Sequence, residues 1–280
     1  MNNAKKILVT GAKGMLAQDL CPILEDSGYD VIETTKENLD ITDEVAILDA
    51  ISKMKPDMVI NCAGYTNVDK AEDIEEQDKA KILNADSAKY IAKACNINNS
   101  IMIYISTDYV FDGKSKVPYK PTDKTNPINF YGKTKEMGEK YVREFCEKHY
   151  IIRTSWLYGH HGKNFVETMI SLADKPEIKV VDDQIGCPTW TVDLSNFIVN
   201  LIDEQPEFGI YHACGKGETS WYGFAKEIFN TLGLTANIQP CTTINFQRPA
   251  QRPEYSVLEN QYNMRDWKKA LKEYIELRFE

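Results

Sequence analysis

The stretch Ile7-Leu8-Val9-Thr10-Gly11-Ala12-Lys13-Gly14-Met15-Leu16-Ala17 decides the fold. Three consecutive apolar residues read as a strand buried on both faces, and the segment 15–25 that follows carries apolar residues at i, i+3, i+4 spacing, as a helix does. Gly11 and Gly14 lie at the junction. A turn this tight needs glycine, which also lets the backbone approach a pyrophosphate lodged on the helix N-terminus. The spacing Gly11-x-x-Gly14-x-x-Ala17 departs from the common G-x-G-x-x-G, so a plain structural turn is the competing reading. Its place at the first turn of an alternating chain favours the phosphate.

Outward from this turn the alternation continues. Asp30-Val31-Ile32, Met58-Val59-Ile60, Ile101-Met102-Ile103-Tyr104-Ile105 and Tyr150-Ile151-Ile152 read as further buried strands, and segments 42–53, 79–95 and 129–147 as helices, with Thr42 as a cap. Strand alternating with helix predicts an α/β fold, a doubly wound parallel Rossmann-like sheet over residues 1–153. Beyond Arg153, prolines from Pro176 to Pro253 punctuate shorter elements, and a smaller C-terminal α/β lobe is expected over residues 154–280, with helices at 191–202, 221–232 and 265–275. No linker of low complexity and no repeat separates the two, and later returns to the sheet stay open.

Composition narrows the class of partner. A chain of 280 residues with 42% hydrophobic content buries a substantial core, and no run approaches the ~18 apolar residues of a membrane span. A net charge of -9 argues against nucleic acid. The seven cysteines lie far apart and form no C-x-x-C pair, which argues against a disulfide framework and a thiolate zinc site. A cytoplasmic protein with a small-molecule partner is expected.

Two further segments carry chemistry. Tyr131 and Lys135 share a helix face four residues apart, so an ammonium can lower the phenol's pKa from about 10 toward neutrality. A packed tyrosine beside a solvated lysine is the bland alternative. Ser106-Thr107-Asp108-Tyr109-Val110-Phe111-Asp112-Gly113 follows the most apolar strand, at the carboxyl end where open α/β sheets bind ligands, and a hydroxyl there can hydrogen-bond a reacting carbonyl.

In combination these residues resemble the extended short-chain dehydrogenases, and more closely the dTDP-4-dehydrorhamnose reductases. The resemblance is nearly full-length. It runs through Thr10 to Ala17, Leu39-Asp40-Ile41-Thr42, the segment from Asn61-Cys62-Ala63-Gly64-Tyr65-Thr66 to Asp69-Lys70-Ala71-Glu72, Ser106 to Gly113, and Tyr131 with Lys135. It continues through Arg153-Thr154-Ser155-Trp156-Leu157-Tyr158-Gly159, Asn164-Phe165-Val166, Asp183 to Thr189 and Arg252-Pro253 with Ser256. It implies reduction of the C4 keto group of dTDP-6-deoxy-L-lyxo-4-hexulose to dTDP-L-rhamnose with NADPH or NADH. The implied catalytic set is Thr107, Tyr131 and Lys135: the tyrosine protonates the developing alkoxide, the threonine donates a hydrogen bond, and the lysine acidifies the phenol and binds the nicotinamide ribose.

The implied cofactor contacts are Gly11, Lys13, Gly14, Met15, Leu16, Asp40, Ile41, Cys62, Ala63, Gly64 and Tyr65, together with Tyr131 and Lys135. Asp40 reads equally as a helix-capping residue, and Asn84 either lines the cofactor or packs. The implied substrate contacts are Thr66, Asp108, Tyr109, Trp156 and Arg252. Arg248 offers a second fork for the diphosphate, and Gln184, Pro188 and Thr189 belong to the same second-lobe pocket. Glu33-Thr34-Thr35-Lys36 after the second strand leaves NADH and NADPH open. Some relatives form homodimers held by magnesium, but no residue here is assigned to that ion, and His160-His161 read as surface histidines. Two rivals remain. A nucleotide-sugar epimerase or 4,6-dehydratase shares the catalytic set, although Tyr109 stands where the dehydratases place glutamate. A non-catalytic regulatory subunit resembling that of methionine adenosyltransferase is opposed by the intact Thr107, Tyr131 and Lys135.

Overall fold

The computed structural model describes residues 4–260 and 262–279. The first half runs β1 (Lys6–Thr10), α1 (Met15–Asp26), β2 (Asp30–Thr34), α2 (Glu44–Met54), β3 (Met58–Asn61), α3 (Ile74–Lys81), α4 (Ser87–Asn98), β4 (Ile101–Thr107), α5 (Phe130–Phe145) and β5 (His149–Thr154). The second half runs β6 (Leu157–Tyr158), α6 (Phe165–Ser171), β7 (Ile178–Val181), β8 (Ile185–Gly186), β9 (Thr189–Trp190), α7 (Thr191–Glu204), β10 (Gly209–His212), β11 (Thr219–Ser220), α8 (Trp221–Leu232), β12 (Ile238–Cys241) and α9 (Trp267–Phe279).

Six strands form one parallel sheet in the order β10-β5-β4-β3-β1-β2. The chain leaves β1 toward β2 on one side and returns to β3 on the other, so the switch point lies between β1 and β3. Ligands of open α/β sheets bind in the crevice at that point. Helices cover both faces: α1 and α7 bury Leu16, Leu20, Leu24, Leu194, Ile198 and Ile202 on one side, and α2, α4 and α5 bury Ile47, Ile51, Ile91 and Val142 on the other. Each fully buried side chain of this kind contributes about 1.5–3 kcal/mol.

Three details differ from the sequence reading. Helix α7, expected in the smaller lobe, packs on α1, because its stripe Leu194, Phe197, Ile198, Leu201 and Ile202 is what covers that face of the sheet, and β10 then pairs with β5. Asp43, not Thr42, caps α2, its carboxylate accepting from the amides of Val45 (2.9 Å) and Ala46 (3.0 Å). The helix expected over 79–95 starts at Ile74 and contains a π-helical turn, Ile82–Asp86, before continuing as α4. In the second half the parallel pair β7 and β12 packs with α6, α8 and α9 around Tyr158, Trp190, Phe224, Trp267 and Tyr274. Segments 110–119 and 255–258 pack together, Val110, Phe111 and Tyr119 sharing one apolar cluster with Val257 and Leu258. No helix among the described residues is long and apolar enough to cross a membrane.

Candidate active site

A cleft of about 1320 Å³ opens along the carboxyl ends of β1, β3 and β4. Gly11 turns the chain there with φ +69°, a region glycine enters without steric cost, and a Cβ on it would lie 2.8 Å from the backbone of Ala63 at the end of β3. Gly14 then starts α1. Helices α2, α5, α6 and α8 have side-chain caps, whereas α1 has none and no acid in its first turn, so its leading amides are free for an anion. Two polar atoms in the cleft wall, Asn61 Nδ2 and Thr154 Oγ1, are buried without a hydrogen-bond partner. A glycine cradle, an uncapped helix and orphaned donors together fit a dinucleotide.

Every residue assigned to the cofactor from sequence lines this cleft: Gly11, Lys13, Gly14, Met15, Leu16, Asp40, Ile41, Cys62, Ala63, Gly64, Tyr65, Tyr131 and Lys135. Asp40 also serves locally, its Oδ1 accepting from the Thr42 amide (2.9 Å) and hydroxyl (2.7 Å), but it is not the helix cap, a role that Asp43 takes. Asn84 sits in the π-helical turn. Its side chain accepts from the Tyr65 amide (2.8 Å) and donates to the Tyr65 carbonyl (3.0 Å) and to Thr134 Oγ1 (3.0 Å), which ties the β3 loop to α5. Its carbonyl accepts from the Tyr104 hydroxyl (2.7 Å). The extra residue of the turn thus turns Asn84 into a brace. Thr35, Leu39 and the Gly162-Lys163 pair also line the cleft and were missed. For Lys163 the only signal was a glycine-lysine pair after the Arg153 to Gly159 motif.

Helix α5 brings Tyr131 and Lys135 to the cleft. Asn129 caps it, accepting from the Gly132 amide (2.8 Å), while Glu72 accepts from the Phe130 amide (2.7 Å). Burial pushes the Tyr131 phenol up to about 12 and the neighbouring Asp108 adds to the rise, while the Thr107 hydroxyl acts in the opposite direction. The expectation that Lys135 acidifies Tyr131 therefore needs correcting. Its ammonium donates to the Ile105 carbonyl (2.6 Å) and lies 4.3 Å from the centre of the Tyr104 ring, and burial draws its own pKa down to about 7. A shared helix face does not fix where a long side chain ends. Glu139, one turn further, favours the charged form of Lys135 and forms a buried bidentate pair with Arg153 (2.9 and 2.7 Å) while accepting from Ser106 (2.6 Å).

The substrate-side residues divide into two groups. Thr66, Asp108 and Trp156 line the cleft. Trp156 holds the strained φ of +46° and stacks on Trp221 at 3.5 Å, which presents its ring edge-on to Gly186. Tyr109 stands behind, its ring edge against Tyr131 at 6.0 Å. Arg252 pairs with Asp69, with the Ala250 carbonyl accepting at 2.6 Å, and Arg248 lies 3.7 Å from the same carboxylate. Gln184, Pro188 and Thr189 are absent from the cleft wall: Gln184 spends its amide on Thr243 (3.0 Å), and Thr189 is buried under Gly215. His160 stacks on Tyr274 while His161 faces Asp19, so the two point apart. Among the described residues no group of three His, Cys, Asp or Glu could hold a metal ion.

With this geometry in view, likeness to known proteins can be weighed. The chain matches the model of the RmlD substrate binding domain over residues 5–278. It is 42% identical over 280 residues to the spore coat polysaccharide biosynthesis protein SpsK of Bacillus subtilis, covering 98% of each chain. The crystal structure of a dTDP-4-dehydrorhamnose reductase from Clostridium acetobutylicum is similar with TM-score 0.95 and 46% identity, over 98% of this chain and 100% of that one. The dTDP-4-dehydrorhamnose reductase of Bacillus anthracis, solved in complex with NADP, has TM-score 0.94 and 38% identity over 98% and 99% of the two chains. With a glycine turn at an uncapped helix and Thr107, Tyr131 and Lys135 lining one cleft, the chain belongs to the RmlD substrate binding domain family.

Proposed function

We propose that this chain is an NAD(P)H-dependent reductase that converts the C4 keto group of dTDP-6-deoxy-L-lyxo-4-hexulose to the hydroxyl of dTDP-L-rhamnose, with Tyr131 as proton donor. The bound nicotinamide supplies the hydride. One observation carries the reading: Thr107, Tyr131 and Lys135 line the same cleft wall that also holds the glycine turn. A phenol held near 12 is fully protonated at neutral pH and so has a proton to give, and the Thr107 hydroxyl favours the phenolate left behind. Lys135, held at the Ile105 carbonyl, would meet the ribose hydroxyls and orient the ring. Thr66, Asp108 and Trp156 would border the sugar, while Arg252, with Tyr109 beside it, would meet the diphosphate.

Tyr109 also speaks against the dehydratase reading, since the position after Asp108 carries no carboxyl to assist elimination of water. The test is direct. Tyr131→Phe should leave folding and cofactor affinity intact and lower turnover by about 10²–10⁴-fold, followed by stopped-flow oxidation of NADPH with the dTDP-4-keto sugar and identification of the product. Near-normal hydride transfer in that variant would remove the assignment.

A further inference from the structure

Asp108 is a carboxyl where charge is costly. It is 2% exposed, it lines the cleft, and its Oδ2 is buried without a hydrogen-bond partner of good geometry, Ser256 being the one outside hydroxyl that acts on it. Its Oδ1 lies 3.0 Å from Thr107 Oγ1, which in turn accepts from the Tyr109 amide at 3.2 Å. With that acceptor position used, the Thr107 hydroxyl has a single proton to place. Facing an ionised Asp108, it donates to the carboxylate and cannot also donate to Tyr131. Facing a neutral Asp108, it accepts from the acid and its own proton is free for the phenol or for the reacting oxygen.

Electrostatics point the same way. A negative Asp108 disfavours the Tyr131 phenolate, and the phenol must pass its proton on for the reaction to finish. We propose that Asp108 is a positioning residue that acts in its neutral form, donating to Thr107 and so turning the Thr107 hydroxyl toward Tyr131 and the reacting oxygen. This inference rests on the reductase reading and adds to it a pH-dependent alignment of the catalytic threonine.

Other groups around Asp108 must be separated from it. Burial raises the Asp108 carboxyl to about 7. Facing it are Tyr131 from α5, Tyr109 on its own segment with Arg252 beyond, Ser256 from the C-terminal segment, and Cys214 after β10; the tyrosines and the thiol titrate far higher. Lys135 alone in the site titrates in the same range, and its loss of charge would lower turnover in the same direction.

The experiment is the pH profile of kcat with saturating NADPH and the dTDP-4-keto sugar for wild type, Asp108→Asn and Tyr131→Phe. An asparagine amide donates to Thr107 at every pH and cannot ionise. The expected wild-type limb, about tenfold per pH unit above about 7, should vanish in Asp108→Asn, whose profile should stay level within about twofold across that range. A limb that persists in Asp108→Asn belongs to Lys135 and overturns the proposal, as does an Asp108→Asn enzyme that binds both ligands but is inactive at every pH. Unimpaired turnover in Tyr131→Phe shows instead that the reductase reading has failed, and this proposal with it. Should the asparagine variant fold poorly, ¹³C NMR of aspartate carboxyls in the wild-type chain decides: an aspartate titrating near 7 is expected, and its absence refutes the neutral acid.

Discussion

Replacing Lys135 by methionine should stabilise the cofactor-free protein while abolishing its turnover. The lysine is 6% exposed, and burial draws its pKa from 10.5 to about 7. At ~1.4 kcal/mol per pH unit, such a displacement means that the charged form costs the folded chain about 5 kcal/mol. Methionine keeps most of the stem and removes the charge, but it leaves the Ile105 carbonyl without its donor, at about 1–3 kcal/mol. The variant should therefore gain about 2–4 kcal/mol at about pH 6, where the wild-type lysine carries its charge in both states. The sign with pH follows from proton counting. Between about 7 and 10.5 the unfolded chain holds the lysine proton and the folded chain has lost it, so wild-type stability rises with pH across that window. The advantage of methionine should accordingly shrink to about zero near pH 9. Urea unfolding of both proteins without cofactor, repeated across this range, measures the gap. A wild type more stable than the variant at about pH 6, or a gap that ignores pH, would refute the reasoning. With cofactor present, turnover and cofactor affinity should fall together in the variant, since one group serves both.

Three more outcomes follow from the geometry. Gly11→Val forces a branched side chain into φ +69° and against the Ala63 backbone, so NADPH binding, read by fluorescence titration, should be lost while the far-ultraviolet circular dichroism persists; unchanged affinity in a folded variant would misplace the cofactor. Asp69→Ala frees Arg252 from the carboxylate that holds one edge of its guanidinium, and KM for the sugar nucleotide should rise about tenfold or more with kcat little changed; a fall in kcat alone would contradict the placement. Glu139→Ala strands the buried Arg153 charge and should cost about 3–5 kcal/mol in urea unfolding, and a loss below about 1 kcal/mol would mean that the pair is not the anchor described.

What the sequence reveals and what it hides have physical causes. Strands β1, β3, β4 and β5 are legible because burial on both faces leaves near-continuous apolar runs, and the glycine turn because only glycine fits where Gly11 meets Ala63. The π-helical turn at Ile82–Asp86 is hidden because a single inserted residue barely disturbs apolar spacing, yet it makes Asn84 a brace. The return of α7 to the sheet is hidden for another reason: an apolar stripe states that it will be buried but not against what. Motif positions placed Tyr131 and Lys135 on one face correctly, while the direction of the ammonium depended on the Ile105 carbonyl, a backbone atom that no residue identity signals.

The late arrival of α7 and β10 bears on synthesis. A nascent chain that has emerged as far as β5 already contains the glycine turn, Thr107, Tyr131 and Lys135, but the apolar face of α1 is still bare and β5 is still an open sheet edge. Tyr150, Ile151 and Ile152 lie on that edge, the kind of strand that recruits another chain. Protection comes only after the segment carrying Trp156 and Trp190 has passed, so the ribosome delivers Thr107, Tyr131 and Lys135 before it delivers the element that keeps their sheet from aggregating. A stop or stall between residues 154 and 191 would release a fragment that holds Thr107, Tyr131 and Lys135 but no closed sheet.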